Sequence, residues 1–198
     1  MTLSAQLKIR QATKRLLDSE WEITHAQKVR DNALAIFDQT RELHGLGAEA
    51  RVLLECAALM HDIGFTVSEA KHHKHSYDLI KASELSAFTS REMELVANIA
   101  RYHTKALPSE DHKPFARLDD ADKELVRKLS AILRLADGLN RSHTLNIKAL
   151  RCEPGRKRLD VHLRFAGDIA VDLSGGQKKK DLFEEVYGLK VGFVPEPV

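Results

Sequence analysis

The stretch Ala57-Ala58-Leu59-Met60-His61-Asp62-Ile63-Gly64-Phe65 ends an apolar helical run on two adjacent polar groups, His61 and Asp62. Burying an imidazole and a carboxylate side by side without partners is costly. A divalent cation removes that cost, provided that further ligands arrive from elsewhere in the chain. Candidates stand on both sides: His25 in an upstream helical segment, His75 in Lys71-His72-His73-Lys74-His75-Ser76, His103 at the end of Ile99-Ala100-Arg101-Tyr102-His103, and Asp137 in Leu133-Arg134-Leu135-Ala136-Asp137-Gly138. Alone, each histidine reads more simply as a surface or hydrogen-bonded residue. Their combination gives nitrogen and carboxylate donors, which suit Mn²⁺, Fe²⁺, Co²⁺, Ni²⁺ or Zn²⁺ better than Ca²⁺, with Mg²⁺ as a further candidate.

Outward from this stretch the periodicity is helical as far as about residue 142. Leu7, Leu16 and Leu17 mark a helix over 3–19, and Val29, Ala33, Ile36 and Phe37 mark a second over 24–43 with Thr24 as its cap. Gly45 and Gly47 turn the chain into a helix over 48–61, which Gly64 ends. Further helices are expected over 72–83, 90–104 and about 121–139, with a turn segment around Pro108 and Pro114. The candidate ligands thus sit on several helices, as suits a site directed into a bundle. After His143 the period changes to two. Asn146 to Cys152 reads as a first strand, Leu159, Val161, Leu163 and Phe165 as a second, and Ile169, Val171 and Leu173 as the return of a hairpin through Ala166-Gly167-Asp168. A short helix over 180–187 and a last strand through Leu189, Val191 and Phe193 complete the tail. The expectation is a mainly α protein: a helical domain over 1–143, and a small α+β appendage over 144–198 packed on it.

The 198 residues, 43% hydrophobic, are enough for one core. With 31 Lys and Arg against 29 Asp and Glu, the net charge of +2 gives no general attraction to nucleic acid or membrane. No apolar segment approaches the ~18 residues of a membrane helix, and no signal-peptide pattern opens the chain. Cys56 and Cys152 read as reduced, structural residues. Together these suggest a cytoplasmic protein.

The order of a histidine, a His-Asp doublet, two spaced histidines and a late aspartate resembles the HD superfamily of metal-dependent phosphohydrolases. More narrowly, the segments HDIGF, HHKHSYDLI, IARYHTK, LADGLNRSH and KKKDLFEEVYG resemble the C-terminal HD region of the exopolyphosphatase and guanosine pentaphosphatase (Ppx/GppA) family, across most of residues 20–190. In that family, actin-like domains that carry catalysis precede this region, and this chain is expected to lack them. The resemblance implies an HD-domain helical bundle with a small C-terminal α+β subdomain. It implies that His25, His61, Asp62 and Asp137 hold a first metal ion, and that Asp62 bridges to a second completed by His75 and His103. Asp62, His75 and His103 would then be the catalytic residues. Two departures are visible: Thr104 follows His103 where many relatives carry a second histidine, and Phe65 replaces a lysine that many HD enzymes carry after His-Asp-Ile-Gly.

A carboxylate-bridged pair of cations suits hydrolysis of a phosphoester or phosphoanhydride by a metal-activated water. The substrate would be a nucleotide, a guanosine polyphosphate or short polyphosphate. Lys74, Arg101, Lys105 and Arg141, with His72, are the candidate substrate-binding residues; solvent exposure is the simpler reading of each. Arg156-Lys157-Arg158 and Lys178-Lys179-Lys180 read as solvated charge, or as a track for a polyanion. His44, His112, His143 and His162 carry no strong signal, and Trp21, Leu182 and Phe183 read as packing residues. No Walker loop, dinucleotide fingerprint or nucleophile elbow is present, and few aromatics argue against nucleic acid. One rival is a non-catalytic regulatory module that binds polyphosphate or a partner; another is oxygen chemistry at a di-iron site. Family resemblance also suggests a homodimer.

Overall fold

The computed structural model describes residues 2–20 and 22–198, so Trp21 lies outside the described residues. Helices begin where side chains satisfy their free backbone N–H groups. Thr2 accepts from Ala5 N at the start of α1 (Leu3–Ser19), Thr89 and Glu92 form a reciprocal capping box on α6 (Ser90–Arg101), and Asp119 accepts from Asp122 N at the start of α8 (Asp120–Gly138). The second helix differs from the sequence expectation. It runs Ile23–Gln39 (α2), its cap is Glu22 with left-handed backbone and no side-chain bond, and a separate turn, α3 (Arg41–His44), ends at Gly45. Thr24 is inside the helix.

The bundle is organised around α4 (Ala48–Met60) and the second half of α8. Every α4 residue from Leu53 to Met60 is buried, as is every α8 residue from Leu129 to Gly138. A helix buried all round must be covered on all sides: α1, α2 and α6 pack on α4, while α2 and α6 also pack on α8. After α4 a 3₁₀ turn (Ile63–Thr66) leads to α5 (His72–Lys81), which pairs with α6. The Pro114 segment forms a single short helix, α7 (Lys113–Ala116). Cys56 and Cys152 are free and buried, and burial pushes the Cys152 thiol up to about 12. No helix among the described residues is long and apolar enough to cross a membrane.

The tail holds three strands, β1 (Ile147–Pro154), β2 (Arg158–Phe165) and β3 (Lys190–Pro197). β1 and β2 form an antiparallel hairpin, with Cys152 opposite Val161, and β3 adds parallel to β2, with Val191 opposite Leu159. Leu159, Val161 and Leu163 turn inward together, as strand alternation requires. Between β2 and β3 lie α9 (Ala170–Lys179) and α10 (Asp181–Tyr187), both packed on α8.

Here the sequence reading of Ile169–Leu173 as a strand is overturned. Buried Ile169 and half-buried Leu173 are four residues apart and also fit a helical face, while Val171 between them is exposed. Buried Asp172 accepts from Ser142 N and Ser142 Oγ, both at 2.8 Å, and so ties α9 to the chain leaving α8. The helix then approaches α8 through bare backbone: a Cβ added to Gly175 would stand 2.2 Å from the Gly138 carbonyl oxygen. Gly175→Ala is therefore expected to destabilise the protein by ~1–3 kcal/mol through overpacking, lowering Tm by roughly 2–10 °C. Gly47→Ala, where nothing lies within 4 Å of the added carbon, should leave Tm almost unchanged in the same calorimetric scans.

Candidate metal centre

Two of the histidines owe their position to helix ends. The last carbonyls of a helix lack intrahelical partners. His61 caps α4 and donates its Nδ1–H to the Ala58 carbonyl at 2.7 Å; His103, two residues past α6, donates likewise to the Ala100 carbonyl at 2.6 Å. His72, at the first position of α5, turns Nδ1 to the Glu69 carbonyl at 3.2 Å. His25 on α2 donates to Asn140 Oδ1 at 2.8 Å, and that amide is oriented because its nitrogen donates to the Thr144 carbonyl at 2.6 Å. A carbonyl oxygen only accepts, so all four rings carry the proton on Nδ1 in their neutral form. All four Nε2 lone pairs are left to converge.

They converge on Asp62. Its Oδ2 lies 3.4 Å from His61 Nε2 and 3.6 Å from His25 Nε2; its Oδ1 lies 3.2 Å from His103 Nε2 and 3.6 Å from His72 Nε2. Asp137, on the last turn of α8, places Oδ1 3.5 Å from His25 Nε2 and 3.9 Å from His61 Nε2. The Nε2 atoms also face one another, at 3.3 Å between His25 and His61 and 3.2 Å between His72 and His103. Two lone pairs cannot bond to each other, and Asp62 Oδ1 is buried without a hydrogen-bond partner. Ligands about 2.0–2.1 Å from a zinc-like ion stand about 3.0–3.4 Å from one another. The observed spacings lie at or a little above that separation: His25, His61 and Asp62 form one group that could hold a cation and Asp62, His72 and His103 another, while Asp137, grouped with His61 and His103, also faces His25 and could complete the first.

The local electrostatics favour positive charge. Burial opposes ionisation of Asp62, but the adjacent His61 and His103 hold its carboxyl well below the usual range. Asp137 is held low in the same way, against burial, chiefly by Lys179. Burial lowers His61, yet the Asp62 and Asp137 carboxylates outweigh it and raise that ring above its ordinary value. Burial instead holds the His103 ring below its ordinary value and the His72 ring down at about 4, so these two rings stay neutral and keep their Nε2 lone pairs open to a cation drawn by the two carboxylates.

The structure separates the expected residues into four places. His25, His61, Asp62, His103 and Asp137 come together, and His72 stands where His75 was expected. The helix α5 buries His73, Ser76 and Ile80, with Ser76 Oγ accepting from Gly64 N at 2.9 Å. His75 lies off this stripe, half-buried, and belongs to none of the three-residue groups found among the described residues. Lys74, Arg101 and Lys105 line a cleft beside the centre, while Arg141 lines a separate hollow with Lys178 and Lys179.

Four contacts escaped the sequence reading. Lys179, expected among solvated charges, is largely buried and pairs with Asp137 Oδ2. Lys180 likewise bonds the Val191 carbonyl at 2.9 Å. His143 stacks on His25 with ring centroids 4.0 Å apart, and Phe65 stacks on His72 at the same separation. The one usable signal was local: Ala58-Leu59-Met60-His61 and Ala100-Arg101-Tyr102-His103 share a spacing that returns a ring to a carbonyl of the last helical turn.

Residues 9–181 match the family described as Ppx/GppA phosphatase, domain III. The chain belongs to that family. Within it, an 88-residue stretch is 28% identical to a guanosine-5'-triphosphate,3'-diphosphate pyrophosphatase of Photobacterium profundum, taking in 44% of this chain and 18% of that protein. The chain thus spans well under two thirds of this relative. The conformity to domain III runs from within α1, at Ile9, through α9 and takes in every residue of the His/Asp cluster.

The geometry separates the roles of neighbouring residues. Removing Asn140, the partner of His25, is expected to weaken metal affinity by about 10–100-fold. His72→Ala should lose one bound ion per chain under native mass spectrometry, whereas His75→Ala should keep the wild-type stoichiometry.

Proposed function

We propose that this chain is an HD-type, metal-dependent phosphohydrolase that cleaves a phosphoester or phosphoanhydride. The observation that carries the reading is the convergence of four Nε2 lone pairs on the two oxygens of one buried carboxylate. One or two divalent transition-metal ions bound there would activate a water and polarise a phosphoryl oxygen. The protein's own part is to hold that centre rigid. Ala58, Ala100, Glu69 and Asn140 fix the four rings, and Lys179 holds Asp137 by its outward oxygen. Family membership supports a phosphorylated substrate, with short polyphosphate one candidate and a guanosine polyphosphate another, the latter as in the name of the Photobacterium relative.

A second reading, a regulatory module that binds a phosphorylated ligand or partner without turnover, is favoured by one observation. The centre is nearly closed, with the side chains of Asp62 and Asp137 each only 9% exposed. Phosphate release from a panel of nucleotides, guanosine polyphosphates and tripolyphosphate separates the two. Hydrolysis predicts metal-dependent release that Asp62→Asn lowers by roughly 10²-fold or more, with the helical circular-dichroism signal retained. Ligand binding without release by metal-loaded wild type would replace the hydrolase with the module.

A further inference from the structure

Beside the metal centre, α5 and α6 enclose a cleft of about 390 Å³ that none of the six clustered residues lines. Its walls are Lys71, His73 and Lys74 on one side and Arg101, Tyr102, Lys105 and His112 on the other, with Ala106. Four permanent cations share this space, and no carboxylate lines it. None of the four has an ion-pair partner among the described residues. The guanidinium of Arg101 lies over the rings of Tyr77 and Tyr102, 5.8 Å from each centroid, a placement that fixes its plane while leaving its charge unneutralised.

Two polar groups here lack the partners that buried polar groups ordinarily have. Arg101 Nε is buried with no hydrogen-bond partner, and so is Nδ1 of His73, a residue only 7% exposed. The potential is positive enough to be felt by its neighbours: after burial, the charges of Arg101 and Lys74 hold the His112 ring below its ordinary value, against the opposing pull of Asp111. Like charges gathered without counter-charge repel one another, and the arrangement is relieved by an anion. The combination of an Arg fork held flat, two long lysines at the rim and ring nitrogens at the back matches a tetrahedral oxyanion with several acceptor oxygens.

We propose that this cleft is a phosphate-binding site separate from the metal centre, in which Arg101 supplies the fork and Lys74 and Lys105 close over the anion from the rim. The site stands independently of whether the metal centre hydrolyses anything. Its position is nevertheless adjacent, since His73 follows His72 and Tyr102 precedes His103.

Inorganic phosphate titrated calorimetrically into the full chain tests the site, with Asp62→Asn as the background in which phosphate is no longer drawn to the metal centre. Phosphate is expected to bind Asp62→Asn as it binds wild type. Adding Arg101→Ala to that background should raise Kd by roughly tenfold or more, and so should Lys74→Ala with Lys105→Ala; Arg101→Lys should recover part of the loss. The two lysines are exposed, so the double variant keeps the test valid where Arg101→Ala fails to fold. Glycerol phosphate as a second probe separates the sources: tighter binding than inorganic phosphate points to a phosphorylated molecule, equal binding to the free ion, and both support the site. No phosphate binding by the Asp62→Asn chain, or binding that the folded lysine double variant leaves intact, would overturn it.

Discussion

Asp62 divides its carboxylate between two pairs of histidines, and the rest of the structure can be understood as what that division requires. A buried carboxylate with four ring nitrogens within 3.6 Å is stable only if each ring is held from behind and if positive charge enters the centre. The rings are held by groups the helices must expose in any case. Ala58 and Ala100 offer carbonyls in the last turns of their helices, so the same termination that stops α4 and α6 orients His61 and His103. The close approach of the 3₁₀ turn to α5 serves the same end. A Cβ on Gly64 would stand 2.1 Å from the His72 carbonyl oxygen, so a larger residue there would push His72 away from Asp62.

The C-terminal part is bound into this arrangement. Two contacts join it to the centre: Asp172 fixes the segment after α8 through Ser142, and Lys179 reaches Asp137. Both lie on α9, which sits against α8 only because Gly138, Gly175 and Gly176 let backbone meet backbone and side chain. The sheet beyond supports α9 and α10 as the crossover between its parallel strands. Perturbing the tail should therefore be felt at Asp137, across α9.

How much of this was legible in the sequence follows from the range of the forces involved. Helical period and capping residues are local, and α1, α4, α6 and α8 lie close to their expected bounds. The failures arise where a contact distant in sequence outweighs the local pattern. Ile169, Val171 and Leu173 alternate like a strand, yet the Asp172–Ser142 bonds and the glycine contacts with α8 make a helix there. His75 matched the resemblance, but the face of α5 that meets Gly64 leaves it outside the cluster and brings in His72. Lys179 sat in a run of three lysines with nothing local to mark it as the partner of Asp137. His25, His61, Asp62, His103 and Asp137, which the structure brings together, were readable as a set from their residue types and order. Asn140 was not, since its role is visible only once His25 is beside it.

The proposal that Asp62 can sit between two cations is tested most directly by anomalous diffraction from crystals grown with Mn²⁺ and measured on both sides of the metal absorption edge. One peak is expected among His25, His61, Asp137 and Asp62 Oδ2, and a second among Asp62 Oδ1, His72 and His103. No anomalous peak at either position, with the four rings and Asp62 joined only by ordinary hydrogen bonds, would contradict that claim.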